Sequence, residues 1–308
     1  MRRIWPHWEK EKRRIAAVLQ DHAQTIRHLP GIEDSRALET LTLQFVASLR
    51  REKYYQIIQR KPISASRADP NHPSFNAEGA VAFHLQRGND DEAAWLLFLM
   101  THFAKPADTG WLRLQDVYGR LGAGIWDWKA VSANPAAFGN WMAANWQRIR
   151  GKFGNHRKYE TLRPTATRST TRVVESYIAW VGTGGHRKLF AGFVHRSGNN
   201  PHTIFEALYR AIPMVSFGRL AKFDYLSMIG RFGIAPIEAG SAYLDGATGP
   251  TRGARLLFDG RCDGPSPNQE LQKQLDALDV KLGVGMRVIE DALCNWQKSP
   301  TDFKHFKG

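Results

Sequence analysis

Residues 95–103, Trp-Leu-Leu-Phe-Leu-Met-Thr-His-Phe, are apolar on nearly every side of a helical wheel. A helix without a polar face cannot rest on a surface, so this one must run through the middle of a fold with other helices around it. Its start is marked upstream. Gly88 ends a helix over 76–87, and Asn89-Asp90-Asp91-Glu92 offers an N-cap at Asn89 with an acid three residues on. The surrounding chain supplies the partners. Helical spacing covers 8–29, 36–60, 111–121, 134–150, 170–182, 202–211 and 217–232. Leu271, Leu275, Leu278 and Leu282 then form an i, i+4, i+7, i+11 stripe, and a last helix ends near Trp296. The reading is all-α, with no internal repeat.

Two segments break the helical pattern. Residues 62–74 carry Pro62, Pro70 and Pro73 among Ser and Asn, and mark a boundary. An N-terminal helical pair over 1–61 is expected to pack on a main helical domain, 75–308, that carries the chemistry. Residues 239–267 hold Gly240, Gly246, Gly249, Gly253, Gly260 and Gly264 with Arg252, Arg255 and Arg261. They read as a long Gly/Arg-rich loop near the C-terminal side, with room for one short hairpin. Loops of that length in compact domains are usually functional or disordered.

Charge narrows the partner. Among 308 residues, 43 Lys plus Arg face 29 Asp plus Glu, a net +14 with a pI near 10.0. Such an excess concentrates polyanions, and double-stranded DNA or another nucleic acid is the usual one. The 10 Trp and 16 Phe fit that company, since aromatic faces stack on unpaired bases, although most rings in a helical protein are core. Cys262 and Cys294 are too few for a disulfide framework or a thiolate zinc site. The start, Met1-Arg2-Arg3-Ile4-Trp5-Pro6-His7-Trp8, lacks the apolar stretch of a secretion leader, and no segment has the length to span a bilayer. A reduced, cytoplasmic protein is expected.

Chemistry concentrates in Phe153-Gly154-Asn155-His156-Arg157-Lys158-Tyr159-Glu160, which sets two fixed cations, an imidazole, an aromatic and a carboxylate behind one glycine. His156, Arg157 and Lys158 suit phosphates, with Glu160 a candidate acid. The alternative is a solvated basic helix start with Glu160 on the helix dipole. On the helix from Gly218, Arg219 and Lys222 are i, i+3 neighbours, while Asp224 lies about 200° round from Lys222. Those two cannot easily serve one reacting atom. That favours a lone carboxylate steadying an oxocarbenium ion over a lysine nucleophile with a carboxylate beside it. Asp224 is therefore the leading catalytic candidate and Glu160 the second, with Arg219, Lys222, Arg252 and Arg255 as further DNA-binding groups. An ordinary surface pair of Asp224 with Arg231 would explain the same residues.

Asn76 and His84 share a helical face across Ala80, and His102 lies on the stripe of Trp95 and Phe98. Asn76, His84, Trp95 and His102 could line a pocket for an everted base, which needs an aromatic face with donors and acceptors. Core histidines and a helix cap account for them equally well. Gly283-Val284-Gly285, between two helices, reads either as a hairpin whose amides grip phosphate or as a C-cap glycine. No phosphate-binding glycine loop, H-E-x-x-H, C-x-x-C or G-x-S-x-G motif is present.

Four blocks carry a resemblance. They are FNAEGAVAFHLQRGNDDEAAWLLFLMTHF at 75–103, FGNHRKYE at 153–160, GRLAKFDYLSMIGRFGIAPIE at 218–238 and AYLDGATGPTRGARLLF at 242–258. The chain resembles the alpha-glutamyl/putrescinyl thymine pyrophosphorylase family, clade 3. The resemblance implies a multi-helix domain of DNA-glycosylase type acting on hypermodified bases in phage DNA. Family members are associated with installing amino-acid or polyamine adducts on thymine. In antiphage defence they are associated with excising glucosylated hydroxymethylcytosine to leave an abasic site. The expectation is a monofunctional DNA glycosylase needing no metal or cofactor. A transferase displacing pyrophosphate and a non-catalytic DNA-binding module are the alternatives.

Overall fold

The computed structural model describes residues 4–306; Met1-Arg2-Arg3, part of both the leader reading and the 1–61 segment, lie outside the described residues, as do the last two. Fifteen α-helices and no strand occur among the described residues, and a single parallel bridge joins Thr161 to Ser169. The all-α expectation holds. Among the described residues no helix is long and apolar enough to cross a membrane.

In chain order α1 is Glu9–Thr25, α2 Ser35–Arg60, α3 Ala65–Ala68, α4 Ala77–Leu85 and α5 Asp90–Phe103. Then come α6 Leu112–Tyr118, α7 Trp128–Ala133, α8 Pro135–Asn145, α9 Thr170–Val181 and α10 Gly185–Ser197. The rest are α11 Pro201–Ala211, α12 Arg219–Arg231, α13 Gly249–Asp259, α14 Asn268–Leu282 and α15 Met286–Trp296. Contacts divide the described residues into one unit of residues 4–54 with 239–306, and a second built on 55–238. This differs from the expected split at 62–74. The apolar stripe of α14 is completed by α1, the first part of α2, α13 and α15, so both chain ends contribute to one core.

That first unit buries Ile15, Leu19, Leu41, Phe45, Leu257, Leu275, Leu282, Ile289 and Trp296 together. It also corrects the expected Gly/Arg-rich loop, because residues 249–259 are helical. Pro250 fills the first turn, where its missing N–H costs nothing, and Gly260 closes α13 at φ 75°. Gly249 and Gly253 lie one turn apart against α15. A Cβ on Gly249 would come 2.5 Å from Cys294 Sγ, and one on Gly253 would collide with the Leu293 carbonyl oxygen. The glycines are there for close helix packing rather than for a flexible loop.

In the second unit α5 is buried at every position from Glu92 to Met100 and again at His102 and Phe103, as its apolar composition demands. The expected capping box does not form. Asn89 makes no side-chain cap bond, and Glu92 accepts from Tyr118 Oη at 2.5 Å and from the Trp128 amide at 2.6 Å. Burial raises the Glu92 carboxyl to about 7, against the lowering by these two donors. Gly185 and His186 open α10 behind the N-cap Gly184. Gly185 adopts φ 72° with the Asp91 carboxylate 2.8 Å from where a Cβ would sit.

A chain of polar groups, sealed except at Asp91, joins four helices here. His186 Nδ1 lies 2.7 Å from Asp91 Oδ1, His186 Nε2 2.6 Å from Tyr177 Oη, and Tyr177 Oη 3.0 Å from Tyr225 Oη. It ties α5, α9, α10 and α12, and α12 carries Asp224.

Candidate functional site

Gly154 starts the site. Its amide donates to the Phe103 carbonyl at 2.8 Å, and a Cβ there would come 2.6 Å from Ala104 Cβ. Only glycine lets this strand of chain lie so close to the end of α5. Residues Asn155–Arg157 then form one 3-10 turn, so the sequence block is a tight turn and not a helix start.

The turn sends its cations in opposite directions. His156 and Lys158 are exposed, with Lys158 Nζ 5.1 Å from the Tyr159 ring centroid. Arg157 points inward and is only 6% exposed. Its Nε donates to the His102 carbonyl at 3.3 Å and its Nη1 to the Ser216 carbonyl at 2.8 Å, and its guanidinium lies 5.4 Å from the Phe217 ring centroid. Arg157 is therefore a brace between the end of α5 and the loop before α12, not the open phosphate contact that was expected. A guanidinium keeps its charge when buried and its fixed fork can reach several acceptors, which suits it to this post.

Glu160 is buried to 1% of its side chain, with Oε1 2.6 Å from Arg168 Nη2 and 3.5 Å from Arg157 Nη2. Oε2 of Glu160 and Nη2 of Arg157 are buried without a hydrogen-bond partner. Burial pulls the Arg157 guanidinium below its ordinary value. Glu160 opposes that, Arg168 adds to it, and Asp224 opposes it. One carboxylate and two guanidiniums thus meet in one place, with Asp224 of α12 near enough for its charge to act on Arg157. The sequence offered no reason to join 157–168 to α12.

Beside this cluster is a cavity of ≈ 510 Å³ lined by Arg168, Met214, Val215, Ser216, Phe217 and Gly218. Ser216 is held at φ 59°, a left-handed conformation uncommon for a residue with a side chain. Gly218 begins α12 without a side-chain cap, so the first turn of that helix opens beside the cavity lining. Arg219 lies over Phe223 at 4.9 Å and Lys222 over Tyr209 at 5.7 Å, with burial lowering the Lys222 ammonium.

The expected base-pocket residues do not line this cavity. Trp95 and His102 are fully buried members of an aromatic column behind it. Phe217 stacks on Phe98 at 5.8 Å and Phe98 stacks on His102 at 6.0 Å and on Trp95 at 5.4 Å. Trp95 Nε1 donates to the Trp126 carbonyl at 2.8 Å, and His102 Nε2 lies 3.0 Å from Thr170 Oγ1. Burial holds the His102 imidazole well below its usual range, so it stays neutral. Asn76 caps α4 by accepting from the Gly79 amide at 2.7 Å. His84 lies eight residues on, roughly 12 Å along the axis, and burial pulls it to about 4. Asn76 is thus a helix cap and His102 a core histidine, while His84 is half-buried.

Arg252 and Arg255 belong to α13 of the first unit, where they reach Gln297 Oε1 at 3.3 Å and the Ser266 carbonyl at 3.4 Å. In the hairpin, Gly283 is a left-handed C-cap at φ 59°, and the Val284 and Gly285 amides donate to Asp279 Oδ1 at 2.9 and 3.1 Å. Those amides are already satisfied. Sequence reasoning missed Arg168 and Met214–Gly218. The one available signal was Ser216-Phe217-Gly218, an aromatic directly before an uncapped helix start.

Fold and site together define an all-α basic protein with an ion-paired, aromatic-backed cavity. The chain belongs to the alpha-glutamyl/putrescinyl thymine pyrophosphorylase family, clade 3, whose sequence profile matches residues 36–308. That family is related to base modification in phage DNA, and its name points to enzymes acting on modified bases. The match continues through α14 and α15, beyond the blocks that carried the resemblance. No curated protein and no solved structure matches the chain.

Proposed function

We propose that this protein is a monofunctional DNA glycosylase that excises a hypermodified pyrimidine, foremost a glucosylated hydroxymethyl base, from phage DNA and leaves an abasic site. The observation that carries this reading is the ion cluster of Arg157, Glu160 and Arg168, with the Asp224 charge within reach of Arg157, beside a cavity lined by Phe217. The cavity's ≈ 510 Å³ suits a small-molecule-sized group, since such pockets usually span roughly 300–1,000 Å³.

In this reading His156, Lys158, Arg219 and Lys222 neutralise backbone phosphates, with Arg252 and Arg255 as a second basic group. The modified nucleotide leaves the stack and its ring lies against Phe217. Asp224 steadies the developing positive charge on the sugar and orients water at the anomeric carbon. Glu160, held between two guanidiniums, keeps Arg157 and Arg168 in place. A base carrying a sugar is selected by the hydroxyl-binding groups that a smaller base leaves unpaired.

The family name supports a second reading, a transferase that displaces pyrophosphate from an activated hydroxymethyl-pyrimidine in DNA. Incubation with phage DNA containing glucosylated hydroxymethylcytosine and with its unglucosylated counterpart, followed by alkali, tests excision. DNA carrying a pyrophosphorylated hydroxymethyl-pyrimidine, supplied with an amine or amino acid, tests transfer. Strand breaks confined to the modified DNA support excision. An adduct with its glycosidic bond intact supports transfer, and a mobility shift alone leaves only a binding module.

A further inference from the structure

We propose that Tyr159 is the wedge that enters the duplex and occupies the space vacated by the everted nucleotide, a positioning role that rests on the base-eversion reading above. Tyr159 is 70% exposed, an unusual setting for a large ring in a turn otherwise fixed by buried side chains. Arg157 and Glu160, on either side of the Lys158-Tyr159 pair, are both 6% exposed and anchored in the ion cluster. The backbone is closed as tightly, with the Arg157 amide donating to Gly154 O at 2.8 Å and the Glu160 amide to Arg157 O at 2.9 Å. The ring is thus presented on a rigid support rather than on a loose loop.

Its neighbours suit DNA. Lys158 lies over the Tyr159 ring at 5.1 Å and His156 is exposed on the same turn, so the aromatic arrives flanked by groups that meet phosphate. The next residue, Glu160, bonds Arg168 at 2.6 Å, and Arg168 lines the cavity. The exposed ring is therefore linked through its chain neighbour Glu160 to Arg168 of the cavity lining, so a filled gap and a displaced base can lie side by side. Val215, also in the cavity lining, is a second exposed apolar side chain at 36%. Inserted side chains hold a base step open, and ring–base stacking is tolerant of sequence.

The test compares wild type, Tyr159→Ala and Tyr159→Phe on a duplex with one glucosylated hydroxymethylcytosine and on the same strand alone, which needs no eversion. For Tyr159→Ala the excision kcat/KM on duplex should fall about 5- to 150-fold, the loss of one stacked ring. The single-strand rate should hold, and Tyr159→Phe should restore the duplex rate. An equal loss on both substrates, or none on either, overturns the wedge. A 2-aminopurine beside the modified base gives a readout independent of excision. Its fluorescence should rise when wild type binds and stay flat at equal occupancy with Tyr159→Ala. A rise with the alanine variant, or none with wild type, overturns the proposal. A wild-type rise without excision supports the wedge while removing the glycosylase reading.

Discussion

Arg157 donates to the carbonyl of Ser216 at 2.8 Å, and that carbonyl belongs to a residue held at positive φ in the lining of the cavity. The cavity's shape therefore depends on a side chain that is itself inside the protein. Arg157→Met should remove the brace and leave Glu160 with one partner fewer. Breaking a buried pair costs about 3–5 kcal/mol, and the second partner Arg168 puts the expectation at the lower end. A urea titration reporting less than about 1 kcal/mol would mean that the brace is idle.

Asp224→Asn keeps the side chain's shape and removes its charge. Alkali-labile sites in modified DNA should disappear while DNA affinity stays nearly unchanged. Full excision by the variant takes Asp224 out of the mechanism.

Lys158 is exposed on the turn next to Tyr159. Lys158→Ala should weaken binding to any sequence alike and shallow the slope of log affinity against log salt by about one. An unchanged slope would show that this ammonium meets no phosphate.

Glu92 makes a pH prediction with a definite sign. Its carboxyl is raised from 4.5 to about 7 by burial, so the folded protein binds the proton more tightly than the unfolded chain. The stability this contributes is full below pH 4.5 and is lost as pH rises towards 7, by up to about 3 kcal/mol. His84, lowered to about 4, works the other way, its contribution present above pH 6.5 and lost as pH falls. Glu92→Gln should therefore flatten the decline between pH 4.5 and 7 relative to wild type in thermal melts. Parallel curves for the two proteins would count against it.

Gly253→Ala places a methyl group into the Leu293 carbonyl oxygen. Overpacking of this kind costs about 1–3 kcal/mol, and a lowered Tm in calorimetry is expected. A Tm at or above wild type would show that α13 and α15 can part easily.

The sequence made α5 legible because a run from Trp95 to Phe103 without a polar face has only one place to go. It misled at 239–267, where glycine serves two purposes. Gly249 and Gly253 permit helix approach, and nothing local distinguishes that from a loop. Glu160 and Asp224 were legible as candidates by type, but Arg157 was read as a surface cation. Its burial depends on acceptors at His102 and Ser216, far away along the chain. Trp95 and His102 fell on the correct stripe and the wrong side of Phe217, since periodicity gives a helical face and not what lies against it.

The polar chain from Asp91 through His186 and Tyr177 ends on Tyr225, the residue immediately after Asp224. Asp91 is partly open to solvent, whereas the other three groups are sealed. The register of the helix that presents Asp224 is thus moored from a carboxylate that water can reach. Replacing the imidazole alone would slacken that mooring, and the slack would reach the cavity through Tyr225, whose ring meets Phe217 edge-on at 6.1 Å.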